Sequence, residues 1–203
     1  MAVTNFGQET IGGSDYAANW CRLMGGNSPN IDDMILQSVS IYVSTQHAKQ
    51  VRVAVYQGGT TTIPTNATLL EDLGQTSGSG TNQWLLLLSA TNPTIVKSIP
   101  TWIAIKGNTS GGNFLARATT TYPTSDFYSA HGRTDVGAMG ADETAAFSAT
   151  VPSGGVSADF WYSFYLTYSF EPPIKDWSNY QQHGTASNSP TYTYSPLKMR
   201  GHK

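Results

Sequence analysis

Seven of the twelve residues in DFWYSFYLTYSF, positions 159–170, are aromatic. The chain holds 5 Trp, 11 Tyr and 7 Phe, so nearly a third of its rings fall in this one run. Large contiguous apolar surfaces rarely stay bare on a soluble protein, so most of the run must be buried. Laid out as a strand, Phe160, Tyr162, Phe164, Leu166 and Tyr168 share one face and form its core side. Trp161, Ser163, Tyr165, Thr167 and Ser169 share the other, half aromatic and half hydroxyl. Trp161 and Tyr165, two rungs apart, are the candidates left to stack on a pyranose ring or to fill a subunit interface.

The same period of two recurs upstream. In 35–43, ILQSVSIYV, Val39, Ile41 and Val43 oppose Ser38, Ser40 and Tyr42, the pattern of a half-buried strand. VRVAVY, 51–56, repeats it with Val51, Val53 and Val55 inward, after a polar hairpin-like connection. TLLEDLG (68–74) reads as a short strand, and QWLLLL (83–88) as a strand covered on both faces. Pro100 lacks an amide donor, so the next strand runs over 101–106 with the proline at its start. NFLARA (113–118) follows the NTSGGN turn. Residues 119–158 read as long loops around one or two short strands, with ADETAAF (141–147) able to form one or two helical turns. Short strands, Gly-rich turns and little helix predict an all-β chain, an antiparallel β-sandwich of jelly-roll type, over 1–172.

After the Pro172-Pro173 stop the alternation disappears. Residues 173–203 read as an extended C-terminal arm with a basic end, anchored on a neighbour by Trp177, Tyr180, Tyr192 and Tyr194.

Charge excludes several functions. Only 12% of residues are charged and the formal net charge is −2, which leaves no basic surface to neutralise phosphates and so no nucleic-acid partner. No apolar run approaches the ~20 residues of a membrane helix, and the N-terminus lacks the basic and apolar regions of a secretory signal. A single cysteine, Cys21, forbids an intrachain disulfide and reads as a small buried hydrophobe. A polar, low-charge, disulfide-free β chain without an export signal fits a virus particle, assembled in the host cytoplasm and later exposed outside.

No catalytic constellation emerges. His47, His131, His183 and His202 lie at no metal-ligand spacing, and His131 near Asp135 lacks a nucleophile elbow. GNTSG (107–111) reads as a turn. Asp32-Asp33 and Asp142-Glu143 read as solvated loop acids rather than a calcium site. No cofactor, metal or enzymatic activity is expected.

The segments SVSIYVSTQHAKQVRVAVYQGG, TLLEDLG, QWLLLL and TWIAIKG, within 35–107, together resemble a jelly-roll pattern found in carbohydrate-binding modules and in phage structural proteins. That resemblance implies a sandwich fold and no activity. The expectation is a bacteriophage capsid decoration protein that homo-oligomerises, as a trimer, and bridges major capsid or other virion proteins. The alternative is a carbohydrate-binding module or tail receptor-binding domain, with Trp84, Trp102, Tyr42 and Tyr56 joining Trp161 and Tyr165 on a surface glycan.

Overall fold

The structure, a computed structural model, describes residues 1–17, 21–45, 51–61, 63–76, 82–107, 115–119, 129–133, 144–153, 156–157 and 161–171. The chain divides into two units, Met1–Glu171 and Pro172–Lys203. Beyond Glu171 the second unit lies outside the described residues, and with it Trp177, Tyr180, Tyr192 and Tyr194.

The first unit is an antiparallel β-sandwich with no helix among its described residues. In chain order the strands are β1 Ala2–Gly7, β2 Ser14–Ala17, β3 Cys21–Asn27, β4 Met34–Thr45, β5 Val51–Gln57, β6 Thr68–Thr76 and β7 Gln83–Leu88. They continue as β8 Thr94–Ile95, β9 Pro100–Gly107, β10 Leu115–Thr119, β11 Ser129–Arg133, β12 Val156–Ser157, β13 Trp161–Tyr162 and β14 Phe164–Phe170. One sheet centres on β4, which pairs with β14, β7, β8 and β10; β1 flanks β14, and β2 and β13 flank β10. The other sheet runs β12-β11-β3-β9-β5-β6.

Alternation builds the layer between the sheets. Val39, Ile41 and Val43 face Val51, Val53 and Val55 with Ile103 and Ile105 in one buried cluster, as the periodicity requires. β4 keeps a core face along twelve residues because its pairing shifts register around Gln37. Met34 and Leu36 point inward before the shift, Val39 and Ile41 after it. One inserted residue restores the inward phase.

The aromatic run is not one strand. It breaks at Ser163, which is fully buried and ties three segments together. The Ser163 amide donates to Arg117 O (2.8 Å), its carbonyl accepts from Tyr42 N–H (2.9 Å), and its Oγ accepts from Gly12 N–H (2.8 Å). Gly12 is required here, since a Cβ would come within 2.1 Å of the Ala118 carbonyl oxygen. Tyr162, Phe164, Leu166 and Tyr168 join the core as expected, Phe160 lies outside the described residues, and Tyr162 stacks on Phe164 at 6.2 Å. Trp161 also packs against this core. It is therefore not the outward partner of Tyr165 that an unbroken strand would make it.

A second apolar layer lies on the far side of the β3-β9-β5 sheet. Leu23, Ala54, Tyr56, Trp102 and Ala104 are covered there by Phe147 and Val151. The covering segment, 144–152, crosses the strands as bends and irregular backbone, as the loop reading of this region expects; of ADETAAF, residues 144–147 are described and not helical, and 141–143 lie outside the described residues. Proximity to a buried ring explains Gly25: a Cβ there would sit 2.8 Å from two ring carbons of Trp102. Trp102 and Tyr56, both fully buried, are layer residues and not glycan-stacking surfaces. β3 escapes sequence reading for the same reason. It is buried on both faces, so it shows no contrast of period two, and Gly25-Gly26 imitates a turn.

Candidate functional site

The outward face of the β14-β4-β7 sheet carries ten positions in register. Tyr165, Thr167 and Ser169 come from β14; Ser38, Ser40, Tyr42 and Ser44 from β4; Trp84, Leu86 and Leu88 from β7. Cross-strand pairing sets them in rows. Tyr165 lies opposite Ser40 and Ser40 opposite Leu86; Thr167 lies opposite Ser38 and Ser38 opposite Leu88; Tyr42 lies opposite Trp84. β1 extends the rows with Gly7 beside Tyr165 and Asn5 beside Thr167.

The small serines of β4 shape this face. A serine leaves a shallow trough along the central strand, and neighbouring rings close over it. Trp84 meets Tyr42 edge to face at 5.3 Å and 77°. It also reaches Tyr165 at 5.0 Å and 58°, although β4 lies between their two strands. Ser40, Ser38 and Ser44 are consequently buried on a face that opens to solvent. The other end of the face is aliphatic and open: Leu86 is 58% and Leu88 69% exposed. The run QWLLLL is thus covered on one face only, by Leu85 and Leu87 in the core, and not on both.

None of the ten positions carries a charged side chain. The face offers hydroxyls, ring edges and bare methyl groups. Trp84 is tilted against both tyrosines, so the three rings do not form the coplanar platform that suits successive sugar rings. Among the described residues no group of three or more His, Cys, Asp or Glu is placed to hold a metal. Asp32 pairs with Lys97 at 2.6 Å, which accounts for one of the paired loop acids. His131 lies on β11; Asp135, the other three histidines and the Asp142-Glu143 pair lie outside the described residues.

β7 is clasped by a buried carboxylate. Glu71 accepts from Ala90 N–H (2.7 Å), Thr91 N–H (3.0 Å) and the Ser89 hydroxyl. These bonds tie the turn after β7 to β6 in the opposite sheet, so Leu86 and Leu88 stand on an anchored strand. The sequence signal for this site was the odd-even split of QWLLLL. Its outward half, Trp84, Leu86 and Leu88, aligns with the outward half of ILQSVSIYV.

Comparison with family models, with curated proteins and with solved structures finds no match to this chain.

Proposed function

We propose that this chain is a non-enzymatic structural protein of a bacteriophage virion, a capsid decoration protein that docks on its shell through the outward face of β14, β4 and β7. The observation that carries the reading is the pair of exposed leucines, Leu86 and Leu88, set beside the Tyr42-Trp84-Tyr165 cluster on an uncharged sheet. Bare apolar patches of this kind mark interaction surfaces. With β1 beside β14 the face has four strands, which at ~4.8 Å spacing and about six residues at ~3.3 Å span roughly 400 Å². A stable pairwise interface uses about 800 Å² on each partner. One such contact is weak, and a repeating shell supplies many copies of it, so affinity comes from multivalency. The low charge suits that role, since neighbouring copies crowded on a shell do not repel.

The test adds purified protein to empty capsids of the source phage. Binding by the wild type, with loss of at least about tenfold in affinity (~1.4 kcal/mol) for Leu86→Thr with Leu88→Thr, supports the reading. No binding by the wild type ends it.

The aromatic cluster alone favours a second reading, a glycan site on Trp84 and Tyr165. Its signature is a change in Trp fluorescence on titration with host polysaccharides. A flat response, against measurable capsid binding, separates the two.

A further inference from the structure

Among the described residues, the outer strands of the two sheets are protected unequally. β12, at one end of the second sheet, is only two residues long. β6, at the other end, pairs with two register shifts, carries Glu71 and Asp72, and is overlaid by the 149–151 segment. Leu69 N–H donates to Ala149 O and Val151 N–H to Ala67 O. Past the end of β7, the turn Ser89–Thr91 is bonded to Glu71 of β6. These are the ordinary devices that stop sheets from joining edge to edge: shortness, bulges, charge and covering.

β1 has none of them. It is six residues long, AVTNFG, with no charge, no proline and an unshifted register against β14. No described residue pairs with its other side. Gln8 N–H donates to Phe164 O. By the alternation of an antiparallel ladder, the amides of Ala2, Thr4 and Phe6 then face β14, and those of Val3, Asn5 and Gly7 face away. Val3 is 65% exposed and Thr4 is exposed, so a second strand can approach.

We propose that two copies of this chain join through β1, antiparallel across a two-fold axis at Thr4. A two-fold axis brings an edge against itself, so the edge must suit its own copy. β1 does, because an uncharged strand meets no like charge across the axis. Val3 and Asn5 of one copy exchange backbone hydrogen bonds with Asn5 and Val3 of the other, and the two Thr4 side chains meet as a non-hydrogen-bonded pair. Centring on Thr4 leaves Gly7, whose φ is 136°, outside the new ladder. The joined sheets set two outward faces side by side. The docking surface doubles from roughly 400 to roughly 800 Å², the size of a standard interface. The dimer stands whether or not the protein docks on a shell.

Sedimentation equilibrium of the full chain at rising concentration tests the proposal, with Val3→Thr and Val3→Pro beside the wild type. Wild type and Val3→Thr are expected to climb toward the mass of two chains. Val3→Pro removes an outward amide, leaves the β14 ladder intact, and is expected to stay at one. Thr4→Cys gives a second readout that does not depend on the proline variant folding. Mild oxidation is expected to yield a covalent dimer from it, and none from the wild type, whose Cys21 is buried. A wild type that stays at one chain, a mass of three chains, or a Thr4→Cys protein that does not cross-link overturns the proposal.

Discussion

The two sheets have outer faces of similar design and opposite fate. Each sets large rings beside small residues: Trp102 and Tyr56 among Ala54, Ala104 and Gly25 on one, Trp84, Tyr42 and Tyr165 among Ser38, Ser40 and Ser44 on the other. The first is roofed by residues 144–152, and the second has no roof among the described residues. The chemistry of the small residues differs in the matching sense. Alanine and glycine make a dry floor that gains nothing from water. Serine hydroxyls can be hydrated, so a serine floor tolerates a face that is wet when free and covered when docked.

The roof is held by polar bonds as well as by Phe147. Asp72 pairs with Arg52 at 2.9 Å and accepts from Phe147 N–H at 2.9 Å. Tyr56 donates to Ser148 O at 2.8 Å, and Lys106 places its Nζ 4.6 Å above the Phe147 ring. Among the described residues nothing comparable spans the serine-floored face, whose ten outward positions have no charged side chain to hold a covering segment.

The contrast breaks most visibly at Phe147. Phe147→Ala removes the ring that seals the roofed layer and should cost about 3–5 kcal/mol in urea unfolding. Trp84→Ala should cost well under half of that, because its ring is only partly covered. Equal losses would mean that both faces are core. Asp72→Asn comes next. It weakens the Arg52 pair and the Phe147 amide bond together, and should cost about 1–3 kcal/mol by the same measurement.

Tyr56→Phe should cost about 1 kcal/mol, since the Ser148 carbonyl loses its donor. It also sharpens the pH behaviour. Burial pushes the Tyr56 phenol above its ordinary value of 10.0. A raised folded-state pKa stabilises fully below the unfolded value and loses that stabilisation as pH rises past it. Wild-type stability should therefore decline above about pH 10, and Tyr56→Phe should flatten that limb in urea melts taken at pH 9 to 11. The smallest expected effect is Leu86→Thr with Leu88→Thr. Both side chains are solvent-exposed, so stability should move by no more than about 0.5 kcal/mol per site, while the proposed docking on capsids should fall.

Much of the sandwich is legible residue by residue. The alternation of β4 and β5 and the proline at the head of β9 each specify a strand that the structure contains. β1 is not legible, because a terminal edge strand buries one side chain, Phe6, and so shows almost no pattern. The candidate site was half legible. Tyr42, Trp84 and Tyr165 stand among the aromatic candidates, but so do Trp102 and Tyr56, which lie under the roof. An aromatic in a strand carries the same period whether its face is covered or open.

What the sequence determined by itself is therefore the local part: which stretches are strands, which side chains share a face, and that rings this dense must mostly be buried. Periodicity encodes these because a strand has only two faces. Which face is roofed was decided by tertiary structure. Phe147 covers Trp102 from a segment 45 residues further along the chain, and no pattern within either segment records the meeting. The break at Ser163 was decided in the same way. Arg117, Tyr42 and Gly12 converge on it from three distant places, and their hydrogen bonds outweigh the continuity of an aromatic strand.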